Sequence, residues 1–180
     1  MSSRLALRSG GFFDFLNPEE SIYTVADVAL GLSRTFRFAG HTTAPITVAQ
    51  HSVVLSNMVA KEFALAALLH DASEAFIGDI VRSAKQFLHD YQAMEKIIMR
   101  DVFARVGLIW DEFPESIKKM DAELGDLESR LANGIGTDFP EGWEKVQNGW
   151  FWDSDQATAK FGSRWITLSG RMPNTILLKA

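Results

Sequence analysis

Cysteine is absent from the 180 residues, which excludes a disulfide framework, thiolate metal sites and thiol nucleophiles. Any metal held by this chain must therefore sit on nitrogen and oxygen ligands. Long hydrophobic runs are missing too: the longest, Phe63 to Leu69, is far below the roughly 20 residues of a membrane span. Residues 1–11 contain no apolar stretch of the roughly 7–15 residues found in secretory signals. The expectation is a soluble, cytoplasmic protein with no membrane partner. An excess of positive charge is also lacking. A formal net charge of −5 argues against a polymeric nucleic acid as partner, since that calls for a basic surface. It leaves room for a small phosphorylated ligand held by a local cluster of Arg and Lys. With 47% hydrophobic and 23% charged residues, the chain has globular composition, and its length suits one domain.

The spacing of apolar residues gives the outline. Residues 4–15 read as a short hairpin, with Leu5 and Leu7 alternating, Ser9-Gly10-Gly11 turning, and Phe12, Phe13 and Phe15 returning. Asn17-Pro18 breaks the chain. Val25, Val28, Ala29, Leu32 and Phe36 then fall at i, i+3, i+4, i+7 and i+11, one face of a helix. Thr47 is an N-cap candidate for a helix running to about 61. A nearly all-apolar helix over 62–77 belongs at the centre of a bundle, and Gly78 stops it. Further helices are expected at about 88–106, ended by Gly107, and at about 115–132, opened by Pro114. The tail carries four of the five tryptophans, Trp143, Trp150, Trp152 and Trp165. Its helical periodicity is weak, with a short helix at 154–161 and loose order over 170–180. The predicted architecture is one all-α domain over 1–180. It has a helical core at about 20–135, a small N-terminal β-hairpin and an irregular Trp-rich extension at 136–180.

Polar residues placed among apolar neighbours carry the chemistry. His51 lies one turn inside the second predicted helix, His70-Asp71 in the apolar central one, and Asp121 in the helix opened by Pro114. Taken singly, each has an ordinary explanation: a core histidine, a chance dipeptide, a solvated helix position. Together they are two imidazoles and two carboxylates whose burial is costly unless something pairs with them. A divalent ion would satisfy all four, and this ligand set suits Mn, Fe, Co, Ni or Zn with positions open for water and substrate. Glu74, at i+4 from His70 and i+3 from Asp71, shares their helix face. Asp79 follows Gly78, and Arg82 and Lys85 place two cations just beyond, where a phosphate group would need them. Arg37 is a further candidate phosphate ligand. His41 sits in a Gly-Thr loop that turn chemistry alone would explain, and His89 reads as a surface residue.

The pattern His51…His70-Asp71…Asp121 resembles the H…HD…D signature of the HD-domain superfamily, whose members are mostly metal-dependent phosphohydrolases on helical bundles. Leu69-His70-Asp71-Ala72-Ser73-Glu74-Ala75-Phe76-Ile77-Gly78-Asp79 is similar to a segment of bacterial 5′-deoxynucleotidases. Arg37 to Thr42 and Thr47 to Ser52 resemble compact HD hydrolases of phages and bacteria, including phage dATP triphosphohydrolases. The resemblance covers roughly residues 10–132. It implies that His51, His70, Asp71 and Asp121 bind the metal, that Glu74 orients or activates water, and that Asp79 assists proton transfer at the leaving oxygen. Arg37, Arg82 and Lys85 would hold phosphates, a second Mg or Mn being allowed on them. Ile22, in a region similar to the base-contacting one of the phage enzymes, would either meet the base or fix the N-terminal hairpin, and His41 is counted with the substrate contacts. Relatives often have Pro two residues after the position of Arg82, where this chain has Ala84. The implied activity is hydrolysis of dATP to deoxyadenosine and triphosphate, extending to dADP and dAMP. The alternatives are a general 5′-deoxynucleotidase acting on dNMPs and a metal-free nucleotide-binding module. A homo-oligomer, dimer to hexamer, is expected, in the host cytoplasm if the chain is phage-encoded.

Overall fold

The computed structural model describes residues 2–134 and 151–177. Trp143, Trp150 and the rest of 135–150, with 178–180, lie outside the described residues. Strands β1 (Arg4–Ala6) and β2 (Phe12–Asp14) form the expected antiparallel hairpin, with Leu5 opposite Phe13. Ile22 continues the pairing, exchanging backbone N–H···O bonds of 2.9 Å with Phe12 in both directions. The remaining named elements are helical: α1 (Val25–Arg34), α2 (Val48–Met58), α3 (Ala64–Leu69), α4 (Glu74–Ile77), α5 (Arg82–Lys85), α6 (His89–Arg105), α7 (Glu115–Ala132) and α8 (Ser154–Ser169). The protein is all-α with a small N-terminal β-hairpin. No helix among the described residues is long and apolar enough to cross a membrane.

Helix starts follow local chemistry. Thr24 and Asp27 form a reciprocal capping box at α1, and Asp153 and Gln156 do so at α8. The Thr47 side chain accepts from Gln50 N at the start of α2. α2 is the most enclosed helix. Val48 through Ser56 are all buried, including Gln50, His51, Ser52 and Ser56, because α1, α3, α7 and α8 all pack on it. α3, in the apolar 62–77 segment, is buried beside it at Ala64 and Ala66 to Leu69.

Two expectations are corrected. The 62–77 segment is not one helix. Ala72 N–H donates to Leu69 O, Glu74 to Asp71, Ala75 to Ala72 and Phe76 to Ser73. These bonds span three residues rather than four, so the winding tightens at His70-Asp71 and turns those side chains inward. The tail is also more ordered than its periodicity suggests. α8 is twice the length expected and buries Ala157, Phe161, Gly162 and Trp165 against α1, α2 and α3. Beyond it Ile176 bridges Thr24, and Leu177 N–H donates to Tyr23 O at 3.1 Å. Fully burying each large apolar side chain contributes about 1.5–3 kcal/mol, so α8 belongs to the core.

Candidate metal centre

Three elements bring the polar residues together. α2 contributes His51, the tight turn between α3 and α4 contributes His70 and Asp71, and α7 contributes Asp121. One ligand atom from each of His51, His70 and Asp121 lies within 4.8 Å of the others, an arrangement that could hold a metal ion. His51 Nε2 is 2.9 Å from Asp121 Oδ1, and His70 Nε2 is 3.0 Å from Asp71 Oδ2 and 3.9 Å from Asp121 Oδ1.

The other ring nitrogens settle the direction of the lone pairs. His70 Nδ1 is 2.8 Å from Ala67 O, and a carbonyl can only accept, so Nδ1 carries the proton. His51 Nδ1 is 3.0 Å from Glu128 Oε2 and 3.1 Å from Oε1. Both Nε2 atoms are buried without an aligned hydrogen bond, although carboxylate oxygens stand about 3 Å away. Such near but misaimed contacts characterise ligands that share an ion. With ligand bonds of about 2.0–2.2 Å, two ligands at a right angle lie roughly 3 Å apart and point at the ion instead of at each other. The residues therefore fit a divalent metal, the paired Nδ1 atoms fixing each ring as ligating imidazoles usually are fixed.

Charge at the cluster is tightly interlocked. Burial and the Arg37 charge push the His51 pKa down, but Glu128 and Asp121 outweigh them and raise it to about 9. Burial opposes ionisation of Asp121, yet contact with His51 and the charges of both histidines hold it below the usual carboxylate range. Asp71 is driven down in the same way, against burial, by His70, His51 and Arg37. Glu74 goes the other way. It is 4% exposed, and burial with the Asp71 and Asp79 charges pushes its carboxyl well above the ordinary range. Its Oε2 has no hydrogen-bond partner. Burial, then Asp71, also raises Asp79 against the pull of Arg37 and Lys85.

A cavity of about 410 Å³ opens beside the cluster, and Arg37, Asp71, Glu74, Asp79, Arg82, Lys85 and Asp121 all line it. Next to Glu74, α1 and α4 touch backbone to backbone: a Cβ at Gly31 would lie 2.6 Å from Ala75 O and 2.9 Å from Ala75 Cα. Gly78, at φ +78°, then turns the chain from Glu74 towards Asp79 as only glycine does without strain. Arg37 stands beside a left-handed pair, Phe38 (φ 57°) and Ala39 (φ 52°), strain of about 1–3 kcal/mol per residue of the kind that gathers at functional sites.

Not every expected contact assembles. Arg37 is anchored, with Nε 2.9 Å from Glu128 Oε2 and its NH1 nitrogen 3.7 Å from Asp71 Oδ2. Arg82 is at the rim, its side chain 82% exposed, one guanidinium nitrogen 3.9 Å from Asp121 Oδ2. Lys85 faces the cavity but is ion-paired with Glu95. His41 is exposed and does not line the cavity. Ile22 is elsewhere: its pairing with Phe12 ties it to the hairpin, and it lines a separate cavity of about 700 Å³ with Gly11, Leu30 and Ile176. Sequence reasoning also missed Glu128. The available signal was its position, i+7 from Asp121 and i+11 from Ile117, on the buried stripe of α7.

No family model matches the chain. It is similar to the uncharacterized protein YfdR of Escherichia coli K12, 40% identical over 97 residues that make up 54% of this chain and 53% of YfdR. The matched part thus spans about half of that relative's length. It is also similar to the uncharacterized protein RCAP_rcc00048 of Rhodobacter capsulatus, 32% identical over 140 residues, 71% of each chain.

Proposed function

This chain belongs to the family of the Rhodobacter capsulatus protein RCAP_rcc00048, and we propose that it is a metal-dependent phosphohydrolase of the HD type acting on a deoxynucleotide, dATP foremost. The observation that carries the proposal is the convergence of two orphaned imidazole Nε2 atoms and Asp121 at the wall of a cavity that also holds arginines. His51, His70, Asp71 and Asp121 would hold the ion, with Co, Mn, Zn, Ni or Fe all compatible with nitrogen and oxygen ligands. Once bound, the ion would polarise a water and neutralise phosphate charge.

The protein's own groups have distinct tasks. Glu74, with a free buried oxygen at the cavity wall, is placed to orient the attacking water and, once ionised beside a bound cation, to take its proton. The water oxygen joins the α-phosphorus, the bond to the 5′-oxygen breaks, and Asp79 supplies the proton that the leaving nucleoside oxygen needs. Arg37 deep in the cavity and Arg82 at its rim offer cations at two depths, which suits a chain of phosphates better than a single one.

The test is product analysis with each dNTP and dNMP, in Co or Mn and in chelator. Metal-dependent deoxyadenosine and triphosphate from dATP is the expected result. Phosphate release from several dNMPs with dNTPs untouched would instead make the protein a general 5′-deoxynucleotidase. Absence of turnover with every metal would leave a nucleotide-binding module.

A further inference from the structure

Glu128 is 0% exposed and lies between two groups of the site. Both its oxygens are within 3.1 Å of His51 Nδ1, and Oε2 is also 2.9 Å from Arg37 Nε. Its helix neighbours Leu124 and Leu127 are buried, so an apolar residue would fill this position without the desolvation that a carboxylate suffers. The charge is kept where a guanidinium and an imidazole N–H both meet it. We infer that Glu128 is a positioning residue for metal and phosphate together. By accepting from Nδ1 it aims His51 Nε2 at the ion, and its charge, ion-paired with Arg37 Nε at 2.9 Å without an aligned hydrogen bond, keeps the guanidinium at the cavity. The inference rests on the metallohydrolase reading above and adds one buried carboxylate through which the two binding events are tied.

Glu128→Gln separates the functions of this side chain. A glutamine oxygen can still accept from His51, but the negative charge that holds Arg37 and strengthens the imidazole as a ligand is gone. Glu123→Gln removes the same charge from α7 at a half-exposed position near Lys119 and serves as control. Three readings are taken on purified protein: cobalt affinity by competition with a chromophoric chelator, the visible spectrum of the cobalt-loaded protein, and inorganic triphosphate binding at saturating cobalt. Thermal unfolding by circular dichroism reports the fold.

In E128Q, cobalt affinity should fall roughly 10–100-fold, the cobalt spectrum should change, and triphosphate should bind more weakly, with E123Q matching wild type. A carboxylate with only a packing role would lower the melting temperature and leave the cobalt spectrum alone, which would overturn the inference. So would a folded E128Q with wild-type cobalt affinity; the metallohydrolase reading would survive both results. Unchanged triphosphate binding in E128Q would overturn the Arg37 half. Wild-type protein that takes up no cobalt would overturn the metal reading and this inference with it. Should E128Q fail to fold, E128D keeps the charge but draws it back by one methylene, and the same three readings decide.

Discussion

In the metal-free protein His51 holds a proton between Asp121 and Glu128, with a pKa of about 9 against the ordinary 6.5. A proton bound more tightly in the folded than in the unfolded chain adds stability that is complete below pH 6.5 and lost as pH rises through about 9. Urea unfolding of chelator-treated protein should show its midpoint falling over that window, and His51→Gln should flatten the slope. An unchanged slope in the variant would place the pH dependence on another group. His70→Asn removes a candidate ligating nitrogen outright, so on the proposed metal site cobalt uptake in equilibrium dialysis should drop by more than the roughly 10–100-fold of an outer partner's loss. The candidate ligands were legible in the sequence because each stands next to apolar residues on a helical segment. Glu128 was not, because it sits in Asp126-Leu127-Glu128-Ser129-Arg130, a stretch that reads as a solvated face. Its spacing from Ile117 was the one hint against that, and the packing of α7 on α2 shows that the position points inward.

Helix starts were readable where a local signal marks them, as with the cap at Thr47 and the proline at 114. The break between α3 and α4 was hidden, since Ala64 to Leu69 and Ala75 to Ile77 share one apolar character and the tightening arises from backbone bonding around His70. α8 was underread for another reason: its buried face is Ala157, Phe161, Gly162 and Trp165, two of them too small to register as a stripe. The contact of α1 with α4 gives a direct test. Gly31→Ala sets a methyl against the Ala75 backbone, which cannot swing aside. It should destabilise the protein by about 1–3 kcal/mol, seen as a lower melting temperature. Because Ala75 adjoins Glu74, the proposed hydrolysis should slow even at temperatures where the variant is folded. Wild-type turnover in a folded variant would show that Glu74 does not depend on this crossing.

Distant segments are joined by a buried ion pair. Arg105 Nε is 2.7 Å from Asp101 Oδ2, its NH1 nitrogen donates to Leu177 O at 2.6 Å and its NH2 nitrogen to Pro18 O at 2.9 Å, while Tyr23 Oη donates to Asp101 Oδ2 at 3.0 Å. Arg105→Met would strand the Asp101 charge and should cost about 3–5 kcal/mol in urea unfolding. A loss below 1 kcal/mol, roughly a surface effect, would mean that Asp101 finds other compensation. The sequence could not reveal this clamp, which depends on residues more than 70 positions apart. The packing of α8 against α1, α2 and α3 has a consequence for biosynthesis. Helices made early in translation must wait, with their apolar faces uncovered, until residues near 165 have left the ribosome. Pairings this far apart in the chain form late, so until that point the nascent protein stays open to chaperones and to aggregation.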